Sequence, residues 1–544
     1  MGDRKKTKQG DKQIRKLENE KRDQVGGLSV SELLYYLFFA VLFFAKGIGL
    51  YDGQEIFKVF LLVGMVCFAG KLLLTEYTVK ELLLIGVLCL AAGFSYLHTR
   101  EKGILFTVMI MIGLKNIPVH RLCRVALGVW CLSYVPAVIL TTLRLIDSPF
   151  RVHVRPGVGF IIRWAMGSAH PNVAHIGYLV LVMLIVYVLG ERISWKWILL
   201  LFGGNCFVYL YTVSQTGMLM TTFYLIATVY LMYRKQPSLL EYGLVEGVLP
   251  VCMVCSLVLP LVLQGRAFDI VNKLMNTRLM QSRRYLTNEK ITLLGSGMQM
   301  TDATTTMDNS FVFAFMTYGI ITFGLLMLAY FLLIRRCIRE KKHREIAIIV
   351  TLLIAGLSEP FLFNTSFKNL SLIFMGTVLF AGGEVKGSFW ARTVSVPELL
   401  GQEQMTKLSP FAQNREEKDK KKKLVQKESR KKYRAALVIG ALLGALLWGG
   451  GYSYITEVPF RTAVPRYLCD SVELPSVFLS SGQILENGEV LGYVDNTTEM
   501  VIFEGDLSQY EAVRGILCRA VYGGCLGLVV VFLGYSMVKY KNRR

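Results

Sequence analysis

The chain has 544 residues, 53% of them hydrophobic and 18% charged, with a mean hydropathy of +0.45 and a formal net charge of +22. A soluble chain of this length divides into domains with polar surfaces. Here apolar runs of about 17–25 residues recur instead, each long enough to cross a bilayer as a helix, and the positive charge gathers in particular loops, which favours the positive-inside rule over nucleic-acid binding.

Residues 1–28 form a basic tail. Its length, its mixed charge and the lack of a small-residue cleavage pattern do not fit a cleavable signal peptide. Apolar spans follow at 30–50, 56–74, 82–98, 104–115, 123–145, 173–191, 196–213, 217–233, 247–265, 310–334, 345–363, 369–384, 435–454 and 515–538. The expected fold is thus an all-α polytopic membrane protein of about fourteen transmembrane helices. With the N-terminus inside, alternation places Lys115–Arg124, Glu191–Lys196, Tyr233–Glu241, Arg335–Arg344, the 385–434 linker and the C-terminal KYKNRR on the cytoplasmic side. All of these are rich in Lys and Arg, which is the check that the rule offers.

Two loops assigned to the outer side break the trend. Residues 146–172 carry Arg151, His153, Arg155, Arg163 and His170; residues 265–309 carry Arg266, Lys273, Arg278, Arg283, Arg284 and Lys290. Outer loops are normally poor in arginine. Arginine stays charged, and its planar fork matches phosphate oxygens two at a time, so an anion site is one reading. Headgroup contact or plain surface charge is the other. Most of the eleven cysteines lie in apolar spans or inner loops and read as small hydrophobes. Only Cys469 and Cys518 fall near the outer side, where they could pair.

Three segments within 29–384 carry a resemblance. Arg163–Asn172, RWAMGSAHPN, resembles the R-x-x-x-G-x-x-H-P-N segment of the bacterial O-antigen ligase and polymerase superfamily, the Wzy-type proteins. TLLGSGMQM from Thr292 and MDNSFVFAFMTYGII from Met307 resemble that family's next segment, with Gly295, Asp308, Asn309, Ser310 and Gly319. GLSEPFLFNTSFKNLSL resembles its late helix, with Glu359 and Asn369. Arg284, ten residues, then Gly295 matches an R-x10-G spacing described for such polymerases. Two positions depart from the pattern. Gln215 in YTVSQTG stands where family members often carry arginine, and Arg155 lies one residue too far from Gly167 for that spacing.

The resemblance implies an inverting glycosyl transfer on the outer face of the bacterial cytoplasmic membrane, with both chain termini cytoplasmic. A lipid-linked oligosaccharide on undecaprenyl pyrophosphate would be the donor and the sugar end of a second lipid-linked unit the acceptor, in surface polysaccharide biosynthesis. A flippase and a chain-length regulator would be the functional partners. Arg163, Arg278 and Arg284 are the expected pyrophosphate ligands, since fixed cations stabilise a leaving group that gains negative charge. Neither outer loop holds an Asp-x-Asp, so neither metal nor cofactor is expected. His170, Asp308 and Glu359 are the candidates to guide the acceptor hydroxyl. Each has a plainer alternative: a helix-entry histidine for His170, an N-cap for Asp308, a structural ion pair for Glu359. A lipid-linked oligosaccharide flippase or a polysaccharide exporter is the rival function.

Residues 435–544 read as two spans around an outer domain, 455–514, that is small, acidic in balance and mostly β or mixed. Its QILENGEVLGYVDNTTEMVIFEG suggests short strands about an Asn-Gly turn.

Overall fold

A computed structural model describes residues 28–143, 145–146, 148–155, 159–234, 237–296, 307–380, 393–394, 433, 436–451, 462–465, 478–480, 483–486, 489–495, 500–503 and 508–541. Apolar runs fold as helices because a bilayer leaves no water to satisfy the backbone. In chain order these are α1 (Val30–Gly47), α2 (Glu55–Leu73), α3 (Val79–Thr99), α4 (Gly103–Gly113), α5 (Val119–Thr142), α6 (Pro171–Leu189), α7 (Trp195–Thr212), α8 (Gln215–Tyr233) and α9 (Leu239–Val262). After them come α10 (Gly265–Leu274), α11 (Arg278–Asn288), α12 (Ser310–Arg339), α13 (His343–Ala355), α14 (Ser371–Leu379), α15 (Ala436–Gly450) and α16 (Ser508–Lys541).

Among the described residues, nine helices are long and apolar enough to cross a membrane: α1, α2, α3, α5, α6, α8, α9, α12 and α16. Helices also stand at the other five expected spans, but α4, α7, α13, α14 and α15 fall short of that length or hydropathy. The sequence count of about fourteen is thus shown only as nine. The span expected over 345–363 changes most. Its helix ends at Ala355, and 356–370 is an irregular connector. Pro360 has no N–H to give, and a contact from α12 holds the turn: Ser310 donates from Oγ to the Glu359 carbonyl (2.6 Å) and accepts from the Leu362 amide (3.2 Å).

Helices α6 and α12 are the most deeply buried spans, and α2, α3 and α16 lie at the periphery. An aromatic seam locks α1, α5 and α6 together. Phe43 stacks on Trp130 at 4.3 Å between ring centroids, Trp130 Nε1 donates to the Gly177 carbonyl (3.0 Å), and Tyr134 Oη donates to that of Ala174 (2.9 Å). Helix α12 is broken at Gly319, whose φ is +79°. The extended segment 292–296 fills the break. Ile320 and Ile321 amides donate to the Thr292 and Leu293 carbonyls, and the Ser296 amide donates to Met316. A Cβ on Gly319 would stand 2.3 Å from the Gly295 nitrogen, and one on Gly295 only 2.0 Å from the Thr317 oxygen. Both positions therefore require glycine, so two glycines that the sequence analysis singled out separately are one contact. Residues 292–296 of the loop expected over 265–309 are in this way built into the helix rather than lying over it.

The described parts of the two arginine-bearing loops hold further elements. Residues Phe150–Arg155 (β1) and Gly159–Trp164 (β2) pair as an antiparallel hairpin with Arg151 opposite Arg163, and 265–288 forms α10 and α11. Near the C-terminus, β3 (Thr462–Pro465), β4 (Phe478–Ser480), β5 (Gln483–Glu486), β6 (Glu489–Asp495) and β7 (Met500–Phe503) form an antiparallel sheet in the order β3-β7-β6-β5-β4. Glu486 pairs with Glu489, bracketing the Asn-Gly of the sequence. Helices α15 and α16 meet through glycines: a Cβ on Gly444 would lie 2.0 Å from the Gly523 oxygen, and one on Gly527 2.0 Å from that of Gly440. Small residues let membrane helices approach this closely. Cys518 donates from Sγ to the Thr142 carbonyl at 3.0 Å, whereas Cys469 lies outside the described residues.

Candidate functional site

Three loops that alternation assigns to one side of the membrane converge on a single cavity of about 230 Å³. Its lining includes Arg163 and His170 before α6, Asn172 in the first turn of α6, Gln215 and Thr216 at the start of α8, Thr277 and Arg278 at the start of α11, and Asp308 just before α12. Four helix N-termini thus border one space. The dipole of each helix puts partial positive charge at that end and favours an anion.

Both arginines are held in the same manner, through Nε to a backbone carbonyl. Arg163 Nε donates to Thr212 (2.9 Å), the last residue of α7, and Arg278 Nε donates to Ser358 (2.8 Å) in the connector after α13. Their terminal nitrogens then reach side chains. Arg163 Nη2 donates to Asn172 Oδ1, and Asn172 Nδ2 donates to Glu359 Oε1 at 2.8 Å. Arg278 Nη2 stands 3.5 Å from Glu359 Oε1 and 3.8 Å from Asp308 Oδ2. Arg163, Asn172, Glu359, Arg278 and Asp308 form one continuous chain. The planar forks are positioned before any ligand arrives, which lysine could not reproduce.

The carboxylates differ. Glu359 is buried behind the cavity wall. Burial raises its pKa to about 8 although Arg278 pulls it down. Asp308 faces the cavity, and burial also raises its pKa, against the pull of Arg278 and then Arg163. The N-cap of α12 is Asn309, whose Oδ1 accepts from the Phe311 and Val312 amides at 2.9 and 3.1 Å. The plainer alternative for Asp308 therefore falls to its neighbour, and the Asp308 carboxylate stays in the cavity.

His170 is the N-cap of α6. Its Nδ1 accepts from the Asn172 amide at 3.1 Å, which leaves the ring proton on Nε2. Burial, then Arg151, Arg163 and Arg278, lower its pKa to about 3. The ring is neutral and has its lone pair engaged, so it suits donating a hydrogen bond better than taking a proton. Arg284 is exposed, six residues along α11 from Arg278, and is not among the cavity-lining residues. Asn369 is structural: its Nδ2 donates to Tyr330 Oη (2.8 Å) and the Leu362 carbonyl (2.7 Å), and its Oδ1 accepts from the Ser371 amide (3.2 Å).

Three residues gain weight that sequence reasoning did not give them. Asn172, read only as part of a turn, joins the two arginines through Glu359. Gln215, noted as a departure, lines the cavity at the very position where the resembled family often has arginine. Gln281 also lines it, and its buried Oε1 has no hydrogen-bond partner among the described residues. A helical spacing of i, i+3 from Arg278 was the signal that could have found Gln281. Beyond the cavity, Lys368 Nζ donates to the Val173 carbonyl at 2.6 Å and ties the 356–370 connector to the start of α6. No protein-family model, no curated protein and no solved structure matches this chain.

Proposed function

We propose that the protein is a glycosyltransferase of the cytoplasmic membrane that polymerises or ligates oligosaccharides carried on undecaprenyl pyrophosphate, with its active site on the outer face. The observation that carries the reading is the cavity in which Arg163, Arg278 and four helix N-termini surround the Asp308 carboxylate. Cations and amide dipoles suit a leaving pyrophosphate. A carboxylate within that field suits the hydroxyl that displaces it. The resemblance of Arg163–Asn172 and of the Gly295, Asp308 and Gly319 segments gives the same answer independently of the geometry.

In this reading Arg163 and Arg278 hold the donor pyrophosphate, and His170 donates through Nε2 to the same group. Asp308 accepts the proton of the attacking hydroxyl as oxygen attacks the anomeric carbon and the bond to the pyrophosphate oxygen breaks. The proton goes to the carboxylate and the electron pair to the lipid pyrophosphate. Glu359 and Asn172 are positioning residues. The unsatisfied Gln281 Oε1 supports a polyhydroxyl substrate, since a sugar hydroxyl would donate to it, whereas a bare anion would not. The test is purified protein in lipid nanodiscs given lipid-linked oligosaccharide and no nucleotide. A ladder of products is expected. Translocation of the intact donor without any ladder would replace the reading with that of a flippase.

A further inference from the structure

The last turn of the α9 span ends at Val262, and α10 begins only three residues later at Gly265, whose φ of +55° permits the abrupt turn. So short a connection holds α10 at the membrane boundary where α9 emerges. The tether is reinforced from behind. Arg283 on α11 donates from Nε to the Pro260 carbonyl and from Nη2 to that of Leu263, both at the end of α9, and its guanidinium lies 3.8 Å from the Phe268 ring centroid on α10. Asn272 Oδ1 accepts from the Met280 amide at 2.9 Å, so α11 occupies one edge of α10.

The remaining faces of α10 are sharply divided. At 100° per residue, Ala267, Ile270, Val271 and Leu274 share one side, and Arg266, Asp269 and Lys273 share another. None of its residues is buried; Ile270 is 60% and Leu274 84% exposed. In water this apolar face would be costly, and α11 does not cover it. Val262 and Leu261, at the end of the adjoining span, are exposed in the same way. Helices with one apolar and one cationic face, placed at a bilayer boundary, lie in the interface with the apolar side among acyl chains and the cations at headgroup phosphates.

We propose that α10 is an interfacial helix whose Ala267, Ile270, Val271 and Leu274 face rests in the acyl chains of the leaflet bordering the cavity, with Arg266 and Lys273 at its headgroup phosphates. The helix leads through Met275, Asn276 and Thr277 directly to Arg278. Asn276 and Thr277 hold φ of +51° and +67°, a conformation that a β-branched residue adopts only when its surroundings fix it. Seating α10 in the leaflet therefore sets the depth at which the Arg278 fork stands. The inference rests on the membrane character of the spans and not on the chemistry of the cavity.

The experiment places photoactivatable p-benzoylphenylalanine at Ile270, at Leu274, at Asp269 on the polar face and at Leu62 on the peripheral helix α2, in the full chain reconstituted in phosphatidylglycerol and phosphatidylethanolamine nanodiscs. Irradiation and mass spectrometry then read lipid adducts. Adducts at 270 and 274 with a yield like that at 62, and well above that at 269, are expected. Yields at 270 and 274 no higher than at 269, or crosslinks from 270 and 274 to other parts of the chain, with 62 still labelled, would overturn the proposal. Absence of adducts at all four sites would overturn it together with the membrane reading, while a lack of glycosyl transfer would leave it standing.

Discussion

The same pairing of arginine with carboxylate is put to different use at the two ends of the helical body. At the cavity end, Arg278 and Glu359 are 10% and 7% exposed and stand in a network with Asn172, Arg163 and the Ser358 carbonyl. At the opposite end, Arg344 pairs with Glu191, Arg335 with Glu246 and Arg336 with Glu340, and the first two of these pairs are largely open to solvent. Coulomb attraction at a surface is screened and offset by lost side-chain freedom. In the interior each charge has lost its water and depends on its partner. Fixed, desolvated charge of this kind adds little to net stability but is already oriented for a charged ligand. The open pairs at the far end hold loops together and fit a side defined by basic residues.

Four experiments sharpen or break that contrast. The largest effect is expected for Asp308→Asn, which keeps shape and removes the base. Product formation by purified, monodisperse protein should fall by about 10²–10⁴-fold, with donor binding retained; a normal rate would remove Asp308 from the chemistry. Arg278→Ala comes next, because it leaves the Ser358 carbonyl and the Glu359 carboxyl without their donor. A loss of about 1–3 kcal/mol is expected, read as a lowered Tm or denaturant midpoint. Arg278→Lys should recover much of that stability but not the activity, since the ammonium cannot reproduce the fork. A variant with both restored would break the distinction between charge and geometry.

The third experiment uses pH. The Glu359 pKa lies near 8 in the folded protein, above the ordinary carboxyl value of 4.5, so folding favours the protonated acid. Its contribution is intact below about 4.5 and is lost as pH rises through 8. Glu359→Gln mimics the protonated form and can still accept from Asn172. Its Tm should match the wild type at pH 5 and exceed it progressively up to pH 9. An equal offset at both pH values would mean that Glu359 is ionised throughout. The smallest effect belongs to Arg344→Ala at the opposite end, expected to cost only about 0–1 kcal/mol in the same unfolding assay. A cost like that of Arg278→Ala would show that the two ends do not differ as their exposure indicates.

Much of the molecule is legible along the chain because its signal is local. Apolar runs long enough for a bilayer mark the helices, and a helix stands at each of the fourteen positions read from sequence. What local signal cannot give is whether a run stays helical to its end. At 345–363 the Ser310 contacts from another helix decide that it does not. The cavity residues Arg163, His170, Arg278 and Asp308 were visible as polar groups beside apolar spans, yet Arg284 carried the same signal and lies on an exposed face. A residue's side of a helix can be read from spacing only when the other face has a known partner, and for α11 no such partner is visible in the sequence.

The sequence by itself determined that this is a membrane protein of many helices, that its positive charge gathers in particular loops, and that 146–172 and 265–309 carry arginine and histidine beside apolar spans. These are properties of composition and order, and the bilayer imposes them on any chain that crosses it. Only the tertiary structure decided that Gly295 and Gly319 are one contact, that Asn309 rather than Asp308 caps α12, and that Asn172 links Arg163 to Arg278 through Glu359. The glycine contact and the Asn172 link join residues from different segments, whereas the cap is a choice between neighbours. Such contacts leave no periodic trace along the chain, because what selects them is the space left between packed helices and the demand that every buried polar group find a partner.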